Sequence, residues 1–179
     1  LVNLLGYGPA VGALGYFDTA QELGIMEGTM LGSFDLVSRG ALARLIFNSF
    51  DIPIMEQVGF GDYLEYVVQD GISSSSPYKK SILSESFGVA RLNVYVMSNL
   101  GIDGINKVGL ARVSIIRDYK TKYATDSYYE MLCVGMTTNV AAGNSDILSM
   151  VGREALVYVK VDETGDSQHT VLYAEKVPS

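Results

Sequence analysis

The spacing of apolar residues changes along this chain from a helical repeat to a two-residue repeat. The helical repeat is clearest in residues 39–50, where the stripe predicted to be buried is Leu42, Leu45, Ile46 and Ser49. From Ser81 onward the apolar residues alternate instead, as Val157, Val159 and Val161 do. Because a helix repeats its face about every 3.6 residues and a strand every second residue, the sequence predicts an α+β fold with helices first and strands after them.

Capping and helix-stopping residues mark the ends of the predicted helices. Ser38 is a favourable N-cap for residues 39–50, since its hydroxyl can accept a hydrogen bond from a first-turn amide. Pro53 stops that helix, because the residue before a proline avoids helical backbone. An earlier helix is predicted around residues 17–24, and residues 1–5 are predicted to be helical as well.

A polar, serine-rich stretch separates the two parts of the chain. It contains four consecutive serines and Pro77, a composition typical of linkers and loops. The predicted organisation is therefore a helical segment over residues 1–56, a linker over 57–80, and a β domain over 81–179.

The β domain is predicted to contain five strands and one short helix. The predicted strands are residues 87–98, 109–117, 128–135, 154–162 and 170–177, and residues 162–166 are predicted to form the turn between the last two. The short helix is predicted at 144–151, between the third and fourth strands. Three strands, a helix and two strands is the order of an OB-type five-stranded barrel, and this is the predicted architecture.

Charge and hydropathy exclude two classes of partner from the prediction. The formal net charge is −7 and the isoelectric point is about 4.6, so a phosphate backbone is repelled and no nucleic acid is expected. The longest apolar stretch, residues 42–55, is interrupted by Arg44, Asn48 and Asp51. It falls short of the roughly 20 apolar residues that a membrane span requires, so no span is predicted.

The residues that usually carry catalysis are scarce. His169 is the single histidine and no nucleophile motif accompanies it. Cys133 is the single cysteine, and its apolar neighbours predict a buried, unreactive side chain. Too few soft ligands are present for zinc, and the acidic residues 162–166 lack the spacing of a calcium loop. We therefore predict no catalytic residues, no metal and no cofactor, and a protein that is not an enzyme.

Three phrases in the helical segment resemble an S-layer homology (SLH) repeat. They are Ala20-Gln21-Glu22-Leu23-Gly24-Ile25-Met26-Glu27-Gly28, then Gly32-Ser33-Phe34, then Val37-Ser38-Arg39-Gly40-Ala41-Leu42-Ala43. They match the order and spacing of a helix ending in a Leu-Gly phrase, a loop with Gly-x-Phe, and a helix opened by a Thr-Arg motif. Residues 1–8 resemble the end of a preceding repeat, and residues 9–56 form one repeat. Because the chain opens without methionine inside this pattern, we expect further sequence upstream.

The resemblance implies attachment to the cell surface. SLH repeats bind pyruvylated cell-wall polysaccharide, and the arginine of their Thr-Arg motif faces the anionic sugar. Here that arginine is Arg39, with Ser38 before it and Gly28 shaping the loop beneath it. The family's glutamate two places later is Ala41 in this chain, so a structural role for Arg39, pairing with Asp35 or a neighbouring chain, is the alternative.

The rest of the chain resembles the small β domain that follows SLH repeats in clostridial surface proteins. The likeness rests on Tyr78-Lys79-Lys80-Ser81-Ile82-Leu83-Ser84-Glu85 and on Ser145-Asp146-Ile147-Leu148-Ser149-Met150-Val151-Gly152. Together the two resemblances imply a bacterial protein located outside the cell, at the cell wall or cell surface.

Four tyrosines crowd the segment after the second predicted strand. They are Tyr119, Tyr123, Tyr128 and Tyr129. Tyrosine has a broad apolar face with a polar tip, so these side chains are a candidate contact surface that stacks on sugar rings or fills a neighbour's pocket. The alternative is that they only cover the barrel.

These observations support two compatible functions for a non-catalytic cell-surface protein. As an anchoring module, the helical segment would bind cell-wall polysaccharide. As an assembly subunit, the chain would form an S-layer or filament with copies of itself, which the low content of charged residues favours. A third reading is an accessory module that targets an extracellular enzyme whose catalytic domain lies elsewhere.

Overall fold

A computed structural model describes residues 1–13, 15–72, 74–101, 109–125, 132–162 and 168–178. The chain divides into two compact units, Leu1–Ser86 and Phe87–Ser179. The first unit holds most of the helical residues and the second holds a five-stranded sheet, so the predicted α+β class is confirmed.

The first unit contains short helices and one pair of strands. The helices are α1 (Gly15–Glu22), α2 (Arg39–Ser49) and α3 (Ile82–Glu85), with a 3₁₀ turn at Gly8–Ala10, and the strands are β1 (Met55–Gln57) and β2 (Tyr66–Val68). The strands pair antiparallel. Residues 2–6 form turns and not the predicted helix, because Gly6 has a φ of +86° and reverses the chain there.

Helix α2 begins directly after Ser38, the residue predicted to be its N-cap. The Ser38 side chain accepts a hydrogen bond from the Ala41 amide at 3.2 Å, which satisfies one free donor of the first turn. The helix ends at Ser49, four residues before Pro53. The predicted helix over residues 39–50 is therefore confirmed to within one residue.

The predicted linker over residues 57–80 differs from the structure, in which these residues pair with the rest of the first unit. The Ile54 amide donates to the Lys80 carbonyl at 2.9 Å, and the Lys80 amide donates to the Gln69 carbonyl at 3.0 Å. Within the serine-rich stretch, Ser76 is buried and accepts from the Gly71 amide at 3.0 Å. The boundary between the units falls instead between Ser86 and Phe87.

A small apolar core holds the first unit together. Its buried members are Val2, Leu5, Tyr7, Ile25 and Ile52. The Tyr7 hydroxyl donates to the Pro53 carbonyl at 2.9 Å, so the one polar atom of that side chain keeps a partner.

The second unit is built from five strands and two short helical turns. The strands are β3 (Val89–Asn99), β4 (Leu110–Arg117), β5 (Thr137–Ala141), β6 (Glu154–Lys160) and β7 (Thr170–Lys176). The helical turns are α4 (Lys122–Thr125) and a 3₁₀ turn at Ile147–Met150. Four predicted strands are thus confirmed to within a few residues, and the predicted helix at 144–151 is a shorter 3₁₀ turn.

The third strand was predicted in the wrong place. It was expected at residues 128–135, but the described part of that range, 132–135, is a turn and the strand follows at Thr137–Ala141. The Met136 amide donates to the Cys133 carbonyl, and Gly135 has a φ of +84°, so the chain reverses before the strand begins. Leu132 from the predicted strand is buried in the core.

The five strands close on themselves in the order β3-β4-β5-β7-β6, with β6 pairing back onto β3. All neighbouring strands are antiparallel except β5 and β7, which pair in parallel through Ala141 and Thr170. Alternate side chains point inward, as the two-residue repeat requires. The largest fully buried side chains of this core are Tyr123, Leu92, Ile115, Leu132 and Ile147.

Candidate functional site

The predicted glycan-binding residues lie at the start of α2 and in the loop after α1. Ser38 serves as the helix cap, and Arg39 is the exposed first residue of the helix. Among the described residues nothing pairs with the Arg39 side chain, and Asp35 accepts instead from the Gly32 amide at 2.7 Å. The structure therefore does not contain the Arg39–Asp35 pair, and pairing of Arg39 with a neighbouring chain stays a prediction.

A different arginine contacts Gly28. A Cβ atom added to Gly28 would lie 3.0 Å from Nη2 and 3.1 Å from Nε of Arg44, and Gly28 has a φ of +71°. The positive φ favours glycine there, whereas the guanidinium is the far end of a flexible side chain and could shift to accommodate a Cβ atom. Sequence reasoning missed Arg44, because the resemblance directed attention to Arg39.

Helix α2 holds the loop after α1 through one side chain. The Asn48 amide nitrogen donates to the Ile25 carbonyl at 2.9 Å and to the Glu27 carbonyl at 2.8 Å. Arg44 and Asn48 are four residues apart, so they project from the same face of α2. That spacing was the available sequence signal that this face contacts the loop.

An open cleft of about 610 Å³ lies beside this loop. Its lining residues are Phe17, Gln21, Gly24, Met26, Glu27, Gly28, Thr29 and Leu31. Gly28 is among them, whereas Ser38 and Arg39 are not. Of the three residues predicted to bind glycan, Gly28 alone lines this cleft.

Much of the apolar surface of the first unit is exposed. Phe34 and Leu36 are each 98% exposed, and Met30 is fully exposed. On α2, Leu42 and Phe47 remain about half exposed, and Ser49 is the one buried residue of the helix. The stripe predicted to be buried is therefore only partly covered, and the exposed residues are candidates for contact with another surface.

The four tyrosines of the predicted contact surface have different positions. Tyr123 is 0% exposed and belongs to the barrel core, so it packs and does not offer a surface. Tyr119 is partly exposed on the outside of the barrel. Tyr128 and Tyr129 lie outside the described residues.

Two guanidinium groups pack against the ring of Tyr119. The Cζ atoms of Arg91 and Arg117 lie 4.4 Å and 4.5 Å from the ring centroid, within the range of cation–π contacts. The Tyr119 hydroxyl donates to Asn93 Oδ1 at 2.9 Å. The ring is therefore fixed at its tip and contacted by two cations.

The backbone at this ring is strained. Tyr119 and the next residue, Lys120, have φ values of 52° and 55°, a conformation that non-glycine residues seldom adopt. Asp118 holds the turn: Oδ1 accepts from the Lys120 amide at 3.0 Å and Oδ2 from the Val134 amide at 3.3 Å. Sequence alone carried no signal for this conformation.

His169 and Cys133 occupy structural positions. The Asp162 amide donates to Nδ1 of His169 at 3.1 Å, and burial lowers the pKa of His169 below its ordinary value of 6.5, with nearby Asp162 opposing the shift. Cys133 lies in a turn and is partly exposed, not buried as predicted, and its Sγ donates to the Ala124 carbonyl at 2.9 Å.

The lowered pKa of His169 predicts a loss of stability in mild acid. The unfolded state binds a proton near pH 6.5 whereas the folded state binds it at lower pH, so the free energy of unfolding falls as pH drops below about 6.5. We expect the melting temperature of the barrel to be lower at about pH 5.5 than at about pH 7.5. In His169→Asn, whose amide oxygen can accept from Asp162, this difference should shrink; an equal difference in the variant would contradict the assignment.

No family model, curated protein or solved structure matches this chain. Within the described ranges, no cluster of three or more histidine, cysteine, aspartate or glutamate side chains could hold a metal ion. None of the helices in the described part of the chain is long and apolar enough to cross a membrane.

Proposed function

We propose that this chain is a non-catalytic bacterial cell-surface module that assembles with copies of itself and attaches to cell-wall polysaccharide outside the cell. The observation that carries the proposal is the number of large apolar side chains exposed on the first unit, among them Met30, Phe34, Leu36, Leu42 and Phe47. Large apolar side chains that are almost fully exposed are stabilised when another protein surface covers them.

The arrangement around α2 supports a role as an SLH-like unit. The Leu-Gly-Ile-Met-Glu-Gly phrase of the resemblance is the loop that Asn48 holds, and Gly28 accommodates Arg44. Arg39 offers an exposed guanidinium at the start of a helix, where the positive end of the helix dipole also favours a carboxylate. Both features suit contact with an anionic sugar.

The strand order supports an OB-type barrel for the second unit. Counted within this unit, the strands run first, second, third, fifth, fourth and back to the first, and a short 3₁₀ turn lies between the third and fourth. The parallel pair is formed by the third and fifth strands. We propose the OB-type assignment on this topology, which by itself implies no activity.

Self-assembly is tested by removing two exposed apolar side chains. Sedimentation velocity over a concentration series should show the wild type forming larger species. The double variant Phe34→Ser with Leu36→Ser should raise the protein concentration needed for assembly about tenfold or more, because each buried aromatic or aliphatic side chain contributes about 1.5–3 kcal/mol. Leu172→Ser is the matched control, because Leu172 is 53% exposed on the barrel. A wild type that stays monomeric, or a double variant that assembles equally, would refute this function.

Attachment is tested in the same series by co-sedimentation with purified cell walls. Arg39→Ala should release the protein, whereas Arg112→Ala, which removes an exposed arginine from β4, should not. If both variants bind as the wild type does, polysaccharide attachment through Arg39 is wrong and only assembly remains.

A further inference from the structure

A row of arginine and tyrosine side chains crosses the outer face of the barrel. We name it the arginine–tyrosine face, and its members are Arg117, Tyr119, Arg91, Tyr158 and Tyr173. It lies in the second unit and shares no residue with the predicted glycan-binding set of Gly28, Ser38 and Arg39, called here the α2 site.

Strand register makes this row continuous. Arg91 of β3 is the register partner of Tyr158 of β6, and Tyr158 is the partner of Tyr173 of β7. Directly opposed residues on neighbouring strands place their side chains in contact range. The Tyr158 and Tyr173 ring centroids are 6.1 Å apart with an interplanar angle of 56°, and Tyr173 is 50% exposed.

The Arg117 end of this face is suited to an anion, whereas at the other end the Tyr173 hydroxyl donates to Glu175 Oε2 at 3.4 Å. Arg117 is exposed, and no described carboxylate forms an ion pair with it. Its neighbour Asp118 uses both oxygens to accept from backbone amides. Residues 1–86 contain four lysines and arginines against ten acidic residues, whereas residues 87–179 contain nine against ten, so cations are concentrated in the barrel unit.

The strained turn supports a binding role over simple surface cover. Two successive non-glycine residues with positive φ cost on the order of 1–3 kcal/mol each. Exposed tyrosines that merely cover a barrel do not require this conformation. In this turn the Tyr119 hydroxyl is held by Asn93 while its ring contacts the guanidinium groups of Arg91 and Arg117. The ring therefore keeps the two cations close to each other.

We propose that the arginine–tyrosine face binds an acidic saccharide, a chain of sugar rings bearing carboxylates. The guanidinium group of Arg117 contacts a carboxylate, because its planar donors match the two oxygens, and Arg91 adds positive charge at the Tyr119 ring beside it. The neighbouring rings of Tyr158 and Tyr173 pack against the apolar face of an adjoining sugar. A peptide or a nucleic acid would supply the negative charge, but it would not require arginine groups followed by tyrosine rings along one face. The inference does not depend on Arg39 or on self-assembly.

The test is calorimetric titration of the full chain with hexagalacturonate. We expect binding that weakens about tenfold or more in Arg117→Gln, since one charge-assisted contact is lost, and severalfold in Tyr173→Ser. Two matched controls, Arg112→Gln and Tyr63→Ser, remove an exposed arginine from β4 and an exposed tyrosine from the first unit and should leave binding unchanged. Circular dichroism of each variant verifies the fold.

Three further probes distinguish the chemistry recognised. The methyl ester of hexagalacturonate keeps the rings but loses the charge, and it should bind about tenfold more weakly or worse. Hexaglutamate and an oligothymidylate keep negative charge without uronate rings, and should also bind more weakly. The proposal would be overturned if the wild type did not bind, or if folded Arg117→Gln bound as well as the wild type. Equal affinity for hexaglutamate or for the oligothymidylate would overturn it too. Loss of wall attachment in Arg39→Ala bears only on the α2 site.

Discussion

Replacing Gly6 with alanine is expected to lower the free energy of unfolding of the first unit by about 3 kcal/mol or more. A Cβ atom there would overlap the carbonyl oxygen of Met55, and this neighbour is backbone, which cannot rotate away. Gly6 also has a φ of +86°, which alanine adopts only under strain. Relief requires residues 5 and 55 to separate, which breaks the 2.8 Å hydrogen bond from the Met55 amide to the Leu5 carbonyl.

Thermal unfolding followed by two-dimensional NMR separates this effect from general damage. Signals of residues 1–86 should lose dispersion at lower temperature, while those of the barrel, which has its own core, should persist. The control is Gly40→Ala in α2, where an added Cβ meets nothing within 4 Å and alanine favours the helix by about 1 kcal/mol. Equal melting of Gly6→Ala and wild type would contradict the close approach at Gly6.

Truncation of Leu92 to alanine is expected to destabilise the barrel by about 2–5 kcal/mol. Leu92 is 1% exposed and lies on β3, which pairs with both β4 and β6. Removing three carbons there loses apolar burial and leaves a cavity that a closed ring of strands cannot easily collapse to fill.

Chemical denaturation measures this loss, with a control on the same strand. Met97 also lies on β3 but is 46% exposed, so Met97→Ala should change the free energy of unfolding by about 0.5 kcal/mol or less. Similar losses in the two variants would show that the predicted alternation of inward and outward residues on β3 is wrong.

The strongest local patterns predicted their elements correctly. Helix α2 carried both an N-cap at Ser38 and a stop at Pro53, and the observed element lies between them. Strand β6 carried the alternation of Val157 and Val159, and both side chains are buried. In these segments local preference and tertiary packing favour the same structure, so a single sequence was sufficient.

The errors arose where distant residues decide the structure. Residues 57–80 have the composition of a linker, yet the backbone groups of Gln69 and Lys80 find partners within the first unit, which composition does not reveal. The apolar run before Gly135 was interpreted as a strand, but Leu132 reaches the core from a turn. An isolated apolar run does not distinguish these two ways of burying a side chain.

The candidate sites were predictable only by residue type. Tyr119 was selected for its aromatic face, but its contacts with Arg91 and Arg117 depend on a positive φ and on the pairing of β3 with β4. Tyr123 was selected on the same grounds and is buried. The two residues are four positions apart in the chain, and the turn between them directs one ring outward and the other inward.

The extent of strand pairing is not equal around the barrel, because β5 and β7 meet in a short parallel seam. Among the described residues this seam consists of one register pair, Ala141 with Thr170, and the Ala141 amide donates to the His169 carbonyl at 2.8 Å. The other neighbouring strands pair along five or more positions. Transient opening of the barrel should therefore begin at this seam. The imidazole of His169 lies there, so its protonation can weaken the pairing of β5 with β7.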